Sequence, residues 1–282
     1  MKILKNILNK QLGKYFSILR INWIHALEYR ANALIGLFAI LSGLFIEYQI
    51  WTLIFSSSDT TNIAMKGSNS VYTFEQLIIF IFLSIIVGQL KSSWITSSQM
   101  IMEIRQGLIS KYLIRPISYF WYYLMMFIGI NSLYYIVYSI LIVVFVFLFP
   151  NMIFELDFSL FGFIISLFLS IYLSYCIYFI MVCFAFWFGE VRSIVVAYNL
   201  GMIMISGQYI PIRLFPENFL SVLSWTPVPY LVDLPVSIAT GLLPFNVWKT
   251  DILYAFIWCF ILTIISLLFY NNGIKKYEAF GQ

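Results

Sequence analysis

The sequence contains 282 residues, of which 62% are hydrophobic and only 10% are charged, whereas soluble domains carry roughly 25% charged residues. So few ionisable groups cannot cover the surface of a soluble protein of this length. The charged residues are clustered, and the apolar runs between them exceed the roughly 18 residues that mark a bilayer span. The composition therefore excludes a soluble globular domain and predicts an all-α, polytopic integral membrane protein.

Residues 1–30 are predicted to form an amphipathic helix, because apolar residues recur there every three or four positions while the lysines avoid that stripe. The stripe consists of Leu4, Leu8, Leu12, Tyr15, Phe16, Leu19, Trp23 and Leu27, and the lysines are Lys2, Lys5, Lys10 and Lys14. A helix of this kind lies in the membrane interface with its lysines toward anionic headgroups. The alternative is a helix that packs on a partner protein.

A single membrane domain of residues 31–282 with six transmembrane helices is predicted to follow. The spans are Ala31 to Ile54, Tyr72 to Ser93, Tyr119 to Phe149, Ser159 to Phe188, Ser193 to Ile210 and Trp248 to Tyr270. Several tryptophans lie at or near the predicted span ends, where interfacial aromatic residues are enriched.

The basic residues predict the orientation, because cytoplasmic loops carry an excess of Lys and Arg. Placing the amino terminus inside leaves most of the 16 basic residues on the cytoplasmic side, namely Lys2, Lys5, Lys10, Lys14, Arg20, Arg30, Lys91, Arg105, Lys111, Arg115, Arg192, Lys275 and Lys276. Only Lys66, Arg213 and Lys249 then face outward. Both termini are therefore predicted to be cytoplasmic.

The stretch from residue 211 to residue 245 is apolar enough to suggest a seventh span, but six prolines interrupt it. They are Pro211, Pro216, Pro227, Pro229, Pro235 and Pro244. Each proline removes a backbone donor, and lipid cannot satisfy a broken backbone. We therefore predict short helices at the outer surface, with Pro216 at a first helical position and Gly241 at a helix end.

Residues 100–118 form a cytoplasmic segment that is both charged and amphipathic. A short, stiff element between two spans could fit a groove in a cytosolic partner and transmit its motion, and the alternative is a plain surface loop. Pro116 disfavours helix at the preceding residue and ends the element. The candidate residues are Glu103, Arg105, Gly107, Leu108, Tyr112, Leu113, Arg115 and Pro116.

Six short runs, which we call the landmark runs, give the chain a family resemblance. They are EIRQG (103–107) with YLIRPIS (112–118), FWFGE (186–190), SGQYIPIRLFP (206–216) followed by PVPYLVDLP (227–235), and GIKKYEAFG (273–281). In this order they resemble ABC-2-type exporter permeases, especially the six-span branch of viologen and antibiotic exporters. The resemblance implies two permease subunits side by side, identical or similar, and two copies of a cytosolic ABC ATPase bound at residues 103–116.

The chain contains no G-x-x-x-x-G-K-[ST] run and so lacks a phosphate-binding loop of its own. We therefore expect no enzyme activity and no cofactor on this chain, with ATP and Mg²⁺ bound by the partner ATPase. Lipid is the other expected partner, nucleic acid is not expected, and the expected location is a bacterial plasma membrane. The cargo could be a drug, peptide, lipid or glycan.

Polar residues inside the predicted spans are the candidates for the substrate path. The resemblance implies that the first, second and fifth spans line it, which selects Glu47, Gln89, Asn199 and Gln208. A carboxylate in lipid is costly and marks function by default, although Glu47 could also reach the outer headgroups. Asn199 and Gln208, like Asn131, could instead bond between helices. Ser166, Ser170 and Ser174 are predicted to form a helix-packing face.

Two other classes of protein were weighed. An ion-coupled secondary transporter is disfavoured because carboxylates within the spans are nearly absent and no inverted repeat is visible. A lipid-modifying membrane enzyme needs clustered catalytic or metal-binding groups, and the chain has one histidine, His25. The cysteines, Cys176, Cys183 and Cys259, are predicted to be buried thiols that pack as small apolar side chains.

Overall fold

The computed structural model describes residues 2–28, 30–57, 62–63, 72–148 and 159–277. In these ranges the chain is helical apart from loops and a short antiparallel pair of strands, β1 (Asn62–Ile63) and β2 (Tyr72–Thr73). The α-helices are α1 (Lys2–Glu28), α2 (Arg30–Ser57), α3 (Phe74–Leu90), α4 (Trp94–Arg105), α5 (Ser110–Leu113), α6 (Tyr119–Leu148), α7 (Leu160–Cys183), α8 (Ala185–Phe188), α9 (Arg192–Ile205), α10 (Glu217–Ser224), α11 (Asp233–Ala239) and α12 (Phe245–Ile274). The predicted all-α membrane architecture is confirmed.

Five helical stretches in the described residues are long and apolar enough to cross a bilayer. They are Leu34–Ser56, Phe74–Arg105, Tyr119–Phe145, Leu160–Phe188 and Phe245–Ile274. The predicted fifth span is shorter than expected, because α9 ends at Ile205 and Gly207 adopts a φ of 86° just beyond it. At a rise of 1.5 Å per residue, α9 is about 21 Å long, less than a bilayer core of about 30 Å. The six-span count therefore stays a prediction.

The second span differs from its predicted form. It continues to Arg105 as α4, with a break at residues 91–93, instead of ending at Ser93. Buried apolar side chains on α4, including Met100 and Ile101, keep this helix inside the bundle. Lys91 is only 6% exposed, so its side chain lies inside the helix bundle, and its position on the cytoplasmic side stays a prediction.

Neighbouring helices satisfy the backbone at this break. Ser174 on α7 donates a hydrogen bond to the Lys91 carbonyl (2.8 Å), and Asn131 on α6 reaches the Ser92 carbonyl at 3.5 Å. Such side-chain donors are what allow a broken helix at membrane depth.

Helix α7 lies at the centre of the fold, packed against α12, α11 and α4. Its serine face is fully buried, as predicted, and Ser170 donates to the Leu231 carbonyl in the segment before α11. On α12, Ser266 donates to the Cys176 carbonyl at 3.3 Å. The three cysteines are free and buried, which confirms their prediction as packing residues.

The segment from residue 211 to residue 245 contains short helices, as predicted, rather than a seventh span. Two 3-10 turns, Ile212–Leu214 and Val228–Tyr230, accompany α10 and the buried α11. Gly241 ends α11 with a φ of 64°, which confirms the predicted helix end. Pro216, predicted at the first helical position, directly precedes α10.

Asp233, at the start of α11, ties this segment together. Its carboxylate accepts a hydrogen bond from the Ile212 N–H (3.3 Å) and lies 3.9 Å from the Arg213 guanidinium. Burial raises the pKa of the Asp233 carboxyl, and the guanidinium and the N–H act in the opposite direction. The Ser237 hydroxyl also donates to the carboxylate, at 3.4 Å, and these three partners favour its charged form.

Helix α1 packs along α6 of its own chain. The Ser118 N–H, just before α6, donates to the Tyr15 hydroxyl at 3.3 Å. Farther along, Asn22 and Leu19 approach Gly129 on α6 so closely that glycine is required there. The opposite face of α1 exposes Phe16 and other apolar side chains. The predicted interfacial position of α1 is untested, but one of its faces is anchored within the chain.

We expect Gly129→Leu to loosen α1 from α6, because a Cβ at this position would lie 2.7 Å from Asn22 Cβ and 2.9 Å from the Leu19 carbonyl oxygen. Overpacking of this kind costs about 1–3 kcal/mol. Limited trypsin cleavage at the exposed Arg20 should then be faster. The matched control is Gly43→Leu on α2, where no atom lies within 4 Å of the added Cβ. Equal cleavage rates for the two variants would show that the close packing at Gly129 does not hold α1 against α6.

Candidate functional site

The predicted partner-binding segment forms a rigid turn between α4 and α6, and we call this end of the helix bundle the turn end. Gly107 follows α4 with a φ of 75°, which only glycine adopts without strain. The Leu108 N–H donates to the Glu103 carbonyl (3.0 Å) and the Gly107 N–H to the Ile104 carbonyl (3.3 Å). This bond pair is a Schellman motif, which satisfies the last carbonyls of α4.

Beneath the turn, Glu103 is 4% exposed and forms an ion pair within the chain. Its Oε1 accepts hydrogen bonds from Lys111 Nζ at 2.6 Å and from the Tyr112 hydroxyl at 3.4 Å. The Tyr112 ring packs against Tyr119 and Tyr122, with centroids 5.0 and 4.9 Å away, and burial raises the pKa of Tyr112. The structure thus gives Glu103 a different role from the predicted one: its carboxylate holds the turn together instead of facing a partner.

A second ion pair joins the turn to another loop. Arg105 Nη1 bonds to Oε2 of Glu190, whose Oε1 accepts from the Arg192 N–H at 3.1 Å. Gly189, with a φ of 70°, turns the chain so that Glu190 reaches this position between α8 and α9. Because both side chains of the Arg105–Glu190 pair are about half exposed, the pair contributes little to stability. Its effect is to fix where the two loops lie.

The described part of the carboxy-terminal landmark reaches the same place. A Cβ on Gly273 would lie 2.3 Å from the Phe186 ring, so the close contact between α12 and α8 requires a glycine at position 273. The Tyr277 ring meets Phe186 edge-on, with the centroids 6.2 Å apart. Residues 278–281 lie outside the described chain. Three landmark runs, EIRQG, FWFGE and GIKKY, therefore meet at the turn end.

The turn leaves an apolar surface uncovered. We define the exposed turn surface as Leu108, Leu113, Ile114, Arg115 and Pro116, all of which are exposed. Ile114 is the most exposed of its large apolar side chains, at 84%. Exposed apolar side chains held on a rigid scaffold are typical of a protein interaction site.

The four substrate-path candidates have different environments. Gln89 is exposed and lines a cavity beside the break in the second span. Asn199 accepts a hydrogen bond from Tyr178 on α7, and Gln208 is buried against Gly88 on α3. The Asn199 bond agrees with the helix-bonding alternative, whereas the Gln208 side chain makes a packing contact with Gly88 and its backbone carbonyl, not its carboxamide, accepts a hydrogen bond from Ser84. Glu47 is half-buried on α2.

Sequence reasoning missed two features of the site. Glu190 was noted only as part of a landmark run. The glycine before it indicates a turn at the end of an apolar run, and an acidic residue in such a turn can bind a nearby arginine. Lys91 was placed at the cytoplasmic end of the second predicted span, because a single lysine at the end of an apolar run normally marks the interface. The apolar residues that recur in α4 were the sequence signal that the helical stretch continues past Lys91.

Comparison with known proteins gives one family match. A family model described as ABC-2 family transporter protein matches residues 41–281. No curated protein matches the chain. The matched region contains the turn, the loop with Glu190 and the described part of the carboxy-terminal landmark.

Proposed function

Because the chain belongs to the ABC-2 transporter family, we propose that it is the membrane subunit of an exporter driven by a separate ABC ATPase. Two permease subunits, identical or similar, assemble with two ATPase copies, and the turn end faces the cytoplasm in a bacterial plasma membrane. Within the family, the landmark runs favour the viologen and antibiotic exporter branch. Cargo moves outward while ATP and Mg²⁺ stay on the partner.

The observation that carries this proposal is the exposed turn surface on its rigid base. Leu113 and Ile114 stand out from a turn that a Schellman motif and a buried ion pair hold in one shape. The Arg105–Glu190 pair connects that turn to the start of α9. A partner that pushes on the turn would therefore move α4 and α9 together, which is what coupling ATP hydrolysis to transport requires.

The proposal is tested by ATP hydrolysis in lipid nanodiscs. The purified chain should show no turnover alone, and adding a candidate ABC ATPase that co-purifies with it should give turnover that its cargo stimulates. Matched controls are the ATPase alone and an ATPase whose phosphate-binding lysine is replaced. Hydrolysis by the homogeneous single chain, unaffected by removal of trace ATPases, would overturn the assignment.

The proposed orientation is tested by thiol labelling in a background without the native cysteines. Cysteines at Lys66 and Asp157, which lie outside the described residues, should react with an impermeant reagent added outside intact cells. A cysteine at Lys276 should react only after the membrane is opened. External labelling at position 276 would instead indicate an odd number of spans.

The buried Lys91 at a broken span is an observation that favours the ion-coupled alternative, because broken helices in secondary transporters hold charged groups at the midplane. This alternative predicts uptake of cargo by ATP-free vesicles under an imposed proton or sodium gradient. The ATP-driven proposal predicts transport only when both the ATPase and ATP are present.

A further inference from the structure

Two adjoining cavities lie beside α4 and α6; the larger one is also bordered by α1, and the smaller one by Gly36 of α2 and Gln89 of α3. One has a volume of about 420 Å³ and the other about 200 Å³, and both are lined by Ile95 and Tyr134. We call the pair the α1–α4–α6 cleft. The larger cavity lies beside α1 and the smaller one beside the break in the second span, since Ser92 lines it. The larger volume is within the range of small-molecule sites.

Several carboxamides in the cleft have unused hydrogen-bonding capacity. The side chains of Gln89 and Gln99 line the smaller and larger cavity, and neither has a hydrogen-bond partner among the described residues. Asn22 and Asn131 donate to carbonyls of their own helices, at 2.8 and 3.1 Å. An occupant that both donates and accepts hydrogen bonds would use the free capacity of Gln89 and Gln99.

The rest of the lining is mixed: apolar side chains lie beside His25 and the hydroxyl-bearing Tyr122, Tyr134 and Tyr138. Among the described residues that line either cavity, none is Asp, Glu, Lys or Arg. Met126, Ile130 and Leu133 form a continuous apolar side of the larger cavity on α6. No carboxylate, ammonium or guanidinium of a described lining residue would compensate a fixed charge on the occupant, and removing such a charge from water is costly. The lining therefore selects against ionic headgroups.

We propose that the α1–α4–α6 cleft binds an uncharged amphiphile. Its hydroxyl or amide groups bond to Gln89 and Gln99, and its apolar chain lies along Met126, Ile130 and Leu133. As a statement about cargo this rests on the proposed function, since the cleft would hold cargo within one permease subunit. As a statement about binding it is tested without any ATPase.

The probe is an octyl glucoside that carries a diazirine on its chain, added to the full chain in nanodiscs of phosphatidylcholine. After illumination, mass spectrometry should place the label on α6 between Met126 and Leu133. Gln89→Leu and Gln99→Leu, which keep side-chain volume, should each raise the probe concentration for half-maximal labelling about 3- to 10-fold, as expected for one lost hydrogen bond. The matched control is Gln49→Leu on α2, an exposed glutamine outside the cleft, which should leave labelling unchanged.

A second variant tests the cleft without removing a polar group. Ile95 lines both cavities and is 53% exposed, so Ile95→Trp can fill the junction at little cost to the fold. Labelling on α6 should fall by more than about tenfold, the change that 1.4 kcal/mol produces. Unchanged labelling in Ile95→Trp, or equal loss in Gln49→Leu, would overturn the assignment of the site.

Competition identifies the chemistry of the ligand. Octyl glucoside and decanamide distinguish hydroxyl from amide recognition, and octyl phosphate and octyltrimethylammonium test for charge. Displacement by either uncharged compound at lower concentration than by both ions supports the proposal, and equal displacement by an ion overturns it. If ATPase stimulation by cargo persists while cleft labelling is absent, this inference fails and the proposed function stands.

Discussion

Replacing Leu113 and Ile114 together by Asp is expected to abolish assembly with the ABC ATPase while the permease remains inserted and folded. Both side chains are exposed in the free chain, Leu113 at 54% and Ile114 at 84%, so the substitution removes little internal packing. In a complex each would lose its contact with water, and burying such a side chain is worth roughly 1.5–3 kcal/mol. Losing both should weaken binding by roughly a hundredfold or more.

Co-purification of the ATPase with tagged permease and cargo-stimulated ATP hydrolysis measure this effect. The matched control is Trp225→Asp, because Trp225 is also 84% exposed but follows α10, in the segment proposed to face outward. That variant should bind the ATPase as the wild type does. Wild-type assembly and turnover in the Leu113→Asp, Ile114→Asp double variant would show that the exposed turn surface is an ordinary surface loop.

The membrane character of the chain could be predicted because it depends on local composition. Long apolar runs specify helices wherever they fall in the chain, and prolines such as Pro227 and Pro229 exclude a continuous span. The serine face of α7 was likewise visible as a repeat of four residues. These features need no knowledge of which helices become neighbours.

The details of the turn end could not be predicted, because they depend on contacts between distant parts of the chain. Glu190 approaches Arg105 across 85 residues, and no local pattern specifies that distance. The break at Lys91 is stabilised by Ser174 and Asn131 from two other helices. A lone lysine after an apolar run has the same local signature whether it lies at the interface or inside the bundle.

For charge reversal at Glu103, the sequence and the structure give different reasons for the expected effect. From the sequence, Glu103→Lys and Arg105→Glu are both expected to disturb a contact with the ATPase. In the structure, Glu103→Lys would place two ammonium groups around the buried tyrosines, whereas Arg105→Glu acts on a half-exposed pair. Loss of transport in Glu103→Lys would therefore report damage to the turn and would not identify an interface.

Loss of the Glu103–Lys111 ion pair is expected to reduce the stability of the permease. We expect Lys111→Met to destabilise the permease by about 1–3 kcal/mol, because it leaves a buried carboxylate with only the Tyr112 hydroxyl as a hydrogen-bond donor among the side chains described at this site. Methionine keeps an unbranched apolar stem but removes the Lys111 ammonium, which lies 4.9 Å from the Tyr112 ring centroid, so a cation–π contact is lost together with the ion pair. The expected loss of stability is no larger because the Lys111 side chain is 43% exposed and water already weakens the pair.

Removing the carboxylate instead of the ammonium should lower the stability of the permease less. The two single variants of the pair therefore serve as controls for each other. In Glu103→Gln the lysine that loses its partner is partly exposed and can be hydrated, while the neutral amide is still able to accept from Tyr112. The double variant Glu103→Gln, Lys111→Met should regain most of the stability lost in Lys111→Met, since no buried charge remains. Thermal unfolding in nanodiscs measures the order, with a shift of about 2 °C or more per kcal/mol. Additive losses in the double variant would mean that the two side chains act independently, and the buried pair would then not be what holds the turn in place.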